Sequence, residues 1–433
     1  MISWNPNIEE MPRAQLDRLQ LKLLKLQTHK MYDFSPFYHG RMRAAGVMPS
    51  DIKTLADVKK LPFMTKKDLR DGYPDKLFMC DRRDLLRYHA SSGTTGKPTI
   101  VGYTRNDLEN WSESLARAMT SVGLGKDDVI QVSNTYGLFS GGLGFHYAIE
   151  KMGAVVVPAS TGNTERQIEL IRDLEVTAIA ATPSYLMYLG EVAAKMGIDI
   201  KKDTKLRIGL LGAEPWSDRM RNRIYETMGV KGINCYGASE LSGPLFSECS
   251  EQQGIHIWGD LALVEIVDPD TGESLGPGER GEMVITMLQK EALPIVRYRM
   301  GDITTLNDEV CACGRTHPRI DRIQGRVDDM IIIRGVNVFP SQVEHSLMQH
   351  PELGNEFQLV VDRKGHMDSM LVRVELKPEA FTDSIIELNA LRERISNRLK
   401  GTLNVSAKVE LVQPGTLPRF EGKAKRVVDK REY

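Results

Sequence analysis

The sequence predicts an α/β protein: a large N-terminal domain of mostly parallel sheets flanked by helices, with a β-rich subdomain, then a small α+β C-terminal domain. Three observations predict it. Between about 128 and 240, short β-branched runs alternate with stretches of helix length, the pattern of a parallel sheet buried on both faces. Leu261–Val267 alternates apolar and polar like a half-buried strand, and after the loop-like PDTGESLGPGERGE another strand is expected at Met283–Met287. After Gly325–Asp329 the pattern restarts as strand, helix, two strands, helix and strand, which divides the chain into domains at 1–327 and 328–433.

Taken in order, residues 1 to about 80 read as helices and irregular segments, with Leu16, Leu19, Leu23 and Leu26 spaced by three and four as an amphipathic stripe. Strands are expected at Val129–Val132, Ala154–Val157, Val176–Ala181, Leu206–Leu211 and Ile233–Cys235, with helices at Thr164–Leu174, Tyr185–Met196 and Asp218–Met228. A ligand is expected at the carboxyl ends of those strands. Leu261–Val267 and Met283–Met287 are the next strands, then Met330–Ile333, a helix from Pro340, and strands near Phe357–Val361 and Met370–Leu376. Leu388, Leu391, Ile395 and Leu399 stripe a helix capped by Asp383 or Ser384 and stopped by Gly401, before a last strand at Val409–Val412.

Composition excludes several classes. The 433 residues carry 57 Lys plus Arg against 58 Asp plus Glu, a net charge of −1, which supports neither a nucleic-acid partner nor an anionic membrane surface. No apolar run approaches the roughly 18 residues that span a bilayer, and the opening lacks the basic-then-apolar order of a signal peptide. Five cysteines in this length are too few for a disulfide framework, so a cytoplasmic, reduced protein is expected.

The run SSGTTGKPT, Ser91 to Thr99, is the most informative. Glycines let backbone N–H groups approach an anion, hydroxyls donate further bonds and lysine adds charge, the makings of a polyphosphate cradle. It is not a Walker A loop, because position 91 is serine where that loop requires glycine. Tyr136, Gly137, Phe139, Gly142 and Phe145 follow a strand in a glycine-rich, aromatic loop that would suit an aryl acyl pocket. Ordinary core packing is the competing account of them. Three late cysteines, Cys249, Cys311 and Cys313, with His256, could close a tetrahedral structural zinc site. His317 is the other candidate for the fourth ligand, and reduced free thiols are the alternative to a metal. Cys80 and Cys235 read as lone thiols.

SSGTTGKPT resembles the phosphate loop of the adenylate-forming superfamily of acyl-CoA synthetases, luciferases and nonribosomal-peptide adenylation domains. Four more motifs follow in that superfamily's order: YGASE (Tyr236 to Glu240), YRMGD (Tyr298 to Asp302), GRVDDMIIIRG (Gly325 to Gly335) and PRFEGKAKR (Pro418 to Arg426). LDRLQLKLLKLQTH, MYDFSPFYHGRM, GAEPW (Gly212 to Trp216) and GKAKRVVDKR are similar to the phenylacetate–CoA ligase branch. The resemblance implies a reaction in two halves: ATP and an aryl acid give an acyl adenylate and pyrophosphate, then CoA displaces AMP.

It also implies roles. Ser91, Ser92, Gly93, Thr94, Thr95, Gly96 and Lys97 would grip the β- and γ-phosphates, and Glu240 would hold Mg²⁺. Glu214, Pro215, Tyr236 and Gly237 would line the adenine slot, with Gly212, Ala213, Ala238 and Ser239 completing the ATP/AMP-binding set. Asp302 would accept the ribose hydroxyls and Arg326 would lie near ribose and phosphate. Lys423 would be the catalytic ammonium, Asp328 the hinge about which the small domain rotates between half-reactions, and Gly335 the CoA-binding turn. The expected partners are small molecules alone, aryl acid, ATP and CoA, with no nucleic acid and no membrane. The oligomeric state is open, a homodimer among the options. Two alternatives stand beside this reading: an adenylyltransferase of the same fold that does not use CoA, and a CoA ligase for another aryl acid such as hydroxyphenylacetate or indoleacetate. A catalytically silent nucleotide-binding scaffold would have no need of Lys423, Glu240 and Asp302 together.

Overall fold

The computed structural model describes residues 2–91, 98–138, 140–327, 331–333, 336–364, 367–381, 384–403, 405–420 and 426–431. The expectations for Ser92, Gly93, Thr94, Thr95, Gly96, Lys97, Phe139, Asp328, Met330, Gly335, Asp383 and Lys423 lie outside the described residues.

After a short helical turn at Pro6–Glu9 comes the first long helix, α1 (Arg13–Phe34). Its buried stripe matches the expected leucine series only in part: Leu16 is buried with Gln20, Leu24, Gln27, Thr28 and Met31, whereas Leu26 is half exposed. Gln27 occupies a core position because its amide finds a partner there. The Gln27 Nε2 donates to the Lys290 carbonyl at 2.8 Å, which removes the cost of burying it.

The hairpin of β1 (Arg87–Ala90) and β2 (Ile100–Tyr103) leads to α2 (Arg105–Thr120), β3 (Val129–Val132), α3 (Gly141–Lys151), β4 (Val155–Val157), α4 (Thr164–Asp173), β5 (Ala178–Ala181), α5 (Pro183–Lys195), β6 (Ile208–Gly212), α6 (Asp218–Met228), β7 (Lys231–Ala238) and β8 (Gly243–Glu248). A nine-stranded sheet runs Leu306–Asn307, Arg319–Ile320, Ile255–His256, β8, β7, β6, β5, β3, β4. Strands β4, β3, β5, β6 and β7 are parallel, as expected. From β8 outward the pairing turns antiparallel. The cause is local: only the turn Ser239–Ser242 joins β7 to β8, whereas a parallel crossover needs about a dozen residues.

Burial on both faces follows the strand period of two. Ala178 and Ala180 of β5 pack with Trp111, Leu115 and Met119 of α2 and Phe145 of α3. Ile179 and Ala181 pack in a second core with Ile168, Leu186 and Ile224 of α4, α5 and α6. The β-rich subdomain is a four-stranded sheet, Ala262–Val267, Gly281–Met287, Tyr298–Thr304 and Gly325–Arg326.

A third core gathers residues from Ile331 to Val409. There the helices Pro340–Leu347 and Ile385–Leu403 cover a sheet ordered Lys408–Val412, Met367–Leu376, Leu353–Lys364, Val427–Asp429. The second helix runs through Gly401, expected as its stop, because Leu403 is buried one half-turn further on. The Ser384 Oγ accepts the Glu387 N–H at its start. This unit touches the large one where Arg223 of α6 donates to the Leu353 carbonyl and Asn355 to Glu191 of α5. Among the described residues no helix is long and apolar enough to cross a membrane.

Candidate active site

The phosphate-loop sequence hangs between β1 and β2, two strands too short and too mixed to be read from the sequence. Their antiparallel register, Arg87↔Tyr103 to Ala90↔Ile100, is extended by the Ser91 N–H donating to the Thr99 carbonyl at 3.0 Å. The hairpin mouth is thus pinned, and Ala90 ties it to the Leu138 carbonyl. Ser91 Oγ and Thr99 Oγ1 are buried there without a hydrogen-bond partner among the described residues, an arrangement that suits an acceptor-rich ligand.

At the carboxyl ends of β6 and β7 lies a cavity of about 160 Å³. Its wall includes Ala213, Glu214, Pro215, Tyr236, Gly237, Asp302 and Arg326 of the expected set, and adds Trp216, Asn234, Arg322 and Ile323. Asp302 and Arg326 are register partners on adjacent antiparallel strands, which sets their side chains on one face. The Arg326 guanidinium donates to Asp302 Oδ1 at 2.5 Å and the Tyr236 hydroxyl to Oδ2 at 2.6 Å. Burial, followed by the Asp302 charge, pushes the Tyr236 hydroxyl well above the usual tyrosine range, so it stays a donor. Glu214 accepts the Ser184 N–H at 2.7 Å. Gly237 is needed because a Cβ there would lie 1.9 Å from the Gly243 carbonyl oxygen.

A second cavity, about 60 Å³, shares Ala213, Cys235 and Gly237 with the first, so the two form one bent slot. Its wall takes Phe145, Gly212, Ala238 and Ser239 from the expected residues, together with Asn134, Ser140, Gly141, Ala181, Gly243 and Pro244. Tyr136, Gly137 and Gly142 are not part of that wall. The Tyr136 hydroxyl instead pairs with His146 Nδ1 at 3.2 Å, and Gly142 serves packing, since a Cβ would lie 2.8 Å from the Thr135 carbonyl. The sequence signal missed was Asn134, two residues past the end of β3. Glu240 is buried in the turn Ser239–Leu241 at the end of β7.

On the antiparallel side of the nine-stranded sheet the late cysteines meet. Cys249 follows β8, His256 sits on the next strand, and Cys311 and Cys313 occupy the loop before Arg319–Ile320. Their ligand atoms all lie within 4.8 Å of one another. The Cys249 and Cys311 sulfurs are 3.8 Å apart, and Cys313 Sγ is 3.6 Å from His256 Nε2. A tetrahedral zinc with its usual bond lengths requires edges of about 3.8 Å for S···S and about 3.6 Å for S···N. The sulfur separation is far beyond the roughly 2.05 Å of a disulfide. His317 is engaged elsewhere: its Nδ1 accepts the Gly259 N–H and its Nε2 donates to the Ile8 carbonyl, both at 2.8 Å. Cys313 has the character of the cluster's thiolate, lowered by the Cys249 thiol and then by the His256 ring. Arg315 donates to the same sulfur and is itself buried against Glu9, which ties the loop to the start of the chain.

The family model "AMP-binding enzyme" matches residues 30–288, and "AMP-binding enzyme C-terminal domain" matches 335–431. The chain is 45% identical to the phenylacetate-coenzyme A ligase of Thermus thermophilus, over 99% of this chain and 100% of that one. The chain belongs to the phenylacetate–coenzyme A ligase family of AMP-binding enzymes. Among solved structures it is similar to 2-hydroxyisobutyryl-CoA ligase in the postadenylation state with R3-HIB-AMP, with TM-score 0.92 and 30% identity, covering 98% of this chain and 92% of that one. Against the same ligase with 2-HIB-AMP and CoA in the thioesterification state the TM-score is 0.72 at 31% identity, covering 99% and 93%. Coverage and identity barely change between these two comparisons. The chain therefore superimposes more closely on the postadenylation structure of that ligase than on its thioesterification structure.

Proposed function

We propose that the chain is an ATP-dependent acid–thiol ligase that converts phenylacetate, ATP and CoA into phenylacetyl-CoA, AMP and diphosphate through phenylacetyl adenylate. The observation that carries this reading is the bent slot. One limb offers Asp302, Arg326 and Tyr236 to a ribose, the other offers Phe145 and small residues to an apolar acyl group, and Ala213, Cys235 and Gly237 line both. An acyl adenylate has that shape.

In the first half-reaction a carboxylate oxygen attacks the α-phosphorus of ATP and pyrophosphate leaves. In the second the CoA sulfur attacks the acyl carbonyl, the bond to the phosphate oxygen breaks, and AMP leaves. Both steps place negative charge on oxygen, so fixed donors and cations do the work. Asp302 holds the ribose, oriented by Tyr236 and Arg326. Glu214, Pro215 and Gly237 bracket the adenine. The loop from Ser91 to Lys97 grips the phosphates. Glu240 fits Mg²⁺: it is a buried carboxylate that accepts no hydrogen bond from a described residue, and a hard cation favours such oxygens. Bound Mg²⁺ would neutralise phosphate charge. Lys423 stabilises the charge built up during adenylation, and rotation of residues 328–433 about Asp328 would withdraw it and bring Gly335 to CoA.

The Cys249, His256, Cys311 and Cys313 set is a structural zinc site in this reading, on the strength of its tetrahedral spacing. A reducing, cytoplasmic setting accords with five unpaired cysteines. The test is acid-dependent pyrophosphate release across a panel of phenylacetate, hydroxylated and indolyl acids, with and without CoA. Phenylacetate should give the highest rate, and AMP release should require CoA. Turnover of AMP independent of CoA would favour an adenylyltransferase instead.

A further inference from the structure

Lys290 is buried, 3% exposed, in a strand-to-strand connection that none of the roles above uses. Burying an ammonium is costly without compensation, so its surroundings are informative. The Nζ donates to Ser242 Oγ at 2.9 Å and lies 4.6 Å from the centroid of the Tyr103 ring, within cation–π range. Tyr103 in turn donates its hydroxyl to the Ser239 carbonyl at 3.3 Å. Lysine and tyrosine together therefore clasp both ends of Ser239–Ser242, the turn that carries Glu240. Ser242 has φ 123°, a left-handed conformation that a non-glycine residue keeps only when its surroundings hold it.

The clasp is itself anchored. Asp107, near the start of α2, accepts the N–H groups of Glu291 and Ala292 at 2.8 and 3.0 Å, and Gln27 holds the Lys290 carbonyl. Burial lowers the lysine to about 8, and the acids that oppose this are Asp107 first and Glu240 second.

We propose that Lys290 is a positioning residue for the metal carboxylate: through Ser242 and Tyr103 it fixes the turn that aims Glu240 at the divalent cation on the ATP phosphates. The inference rests on Glu240 as the Mg²⁺ ligand. Partners one layer behind a metal ligand are worth roughly 10–100-fold in metal affinity, and that is the range expected here.

The test uses the full-length enzyme and the variants Lys290→Met, Lys290→Arg, Ser242→Ala and Glu240→Gln. Mn²⁺ binding to the enzyme–ATP complex is read by electron paramagnetic resonance. Free-Mg²⁺ dependence of pyrophosphate exchange and CoA thiolysis of supplied acyl adenylate are read beside it. Lys290→Met should weaken Mn²⁺ binding and raise the Mg²⁺ requirement roughly 10–100-fold, with thiolysis retained; Ser242→Ala should do so less, and Lys290→Arg should recover part of the loss. Mn²⁺ binding in Lys290→Met as tight as in the parent, or tighter, would overturn the proposal by making the ammonium a mere repelling neighbour. Parallel loss of both half-reactions with a lowered melting temperature would also overturn it, as a purely structural role. If Glu240→Gln leaves Mn²⁺ binding intact, the Glu240 assignment fails and this proposal with it. If only Lys290→Met leaves it intact, the lysine role alone fails.

Discussion

Replacing Asp302 by asparagine keeps the outline of the side chain and removes its charge. In the cavity its two oxygens accept from Tyr236 at 2.6 Å and Arg326 at 2.5 Å. Asparagine retains one oxygen and turns an NH₂ toward a donor, so one ribose contact to a charged acceptor is lost, worth about 2 kcal/mol. That is roughly thirtyfold in ATP affinity. Arg326 also loses its ionic partner. A pair at about 4 Å is worth roughly 4 kcal/mol at an effective dielectric of 20, but the arginine side chain is 25% exposed, so solvent recovers a good part of this. The ribose hydroxyls that Asp302 would accept take no part in the bonds made and broken, so that contact is the same in ground and transition states. The loss should therefore fall on the KM for ATP with kcat kept. Acid-dependent ATP–pyrophosphate exchange at varied ATP, with a melting curve to confirm folding, measures both. Tyr236→Phe, which removes one orienting donor, should move KM the same way by less. A folded Asp302→Asn enzyme with unchanged KM for ATP, or with kcat alone reduced, would refute this account of the cavity.

Three other predictions bear on separate parts of the account. Lys423→Ala should lose pyrophosphate exchange by about a thousandfold, the rate equivalent of roughly 4 kcal/mol, while supplied acyl adenylate is still thiolysed by CoA; normal exchange would defeat the assignment. Freshly purified protein should contain one zinc per chain, and chelation or Cys311→Ser should lower the melting temperature with little change in the kcat of the folded fraction; metal analysis finding no stoichiometric zinc removes the site. Glu344 packs between the two units, where burial, aided by the repulsion of Glu214, pushes its carboxyl up to about 7 against the pull of Arg426, the Ser217 N–H and the pull of Arg322. A carboxyl raised on folding stabilises fully below the ordinary glutamate range, and that contribution is lost as pH rises through about 7. Melting temperature should accordingly fall from about pH 4.5 to 7 and level off above, and Glu344→Gln should flatten that slope; an unaltered slope in the variant would contradict it.

What could be read from the sequence was what local patterns determine. The β-branched run of β3 and the helix α6 lie where expected, the latter because Ser217 caps it, its Oγ accepting the Met220 N–H, and Gly229 ends it at φ 69°. The ordered motifs located Tyr236, Asp302 and Arg326, though not that register would join them as one hydrogen-bonded set. Contacts between distant segments were not legible. Gln27 reads as surface until the Lys290 carbonyl meets it, and Tyr136 reads as an acyl-pocket wall until His146 takes its hydroxyl. Asn134 and Lys290 carry no motif at all, and only the fold brings them beside the slot and the Glu240 turn. The Cys/His cluster was half legible: spacing nominated three cysteines and two histidines, and the choice between the histidines depended on which ring already had partners.

The most direct measurement is product identity. Purified enzyme supplied with phenylacetate, ATP, Mg²⁺ and CoA is followed by mass spectrometry of the nucleotides and thioesters together. Phenylacetyl-CoA, AMP and pyrophosphate should accumulate in equal amounts, with phenylacetyl adenylate trapped when CoA is withheld. Cleavage of ATP to ADP, or AMP formed with no thioester in the presence of CoA, would contradict the assigned chemistry.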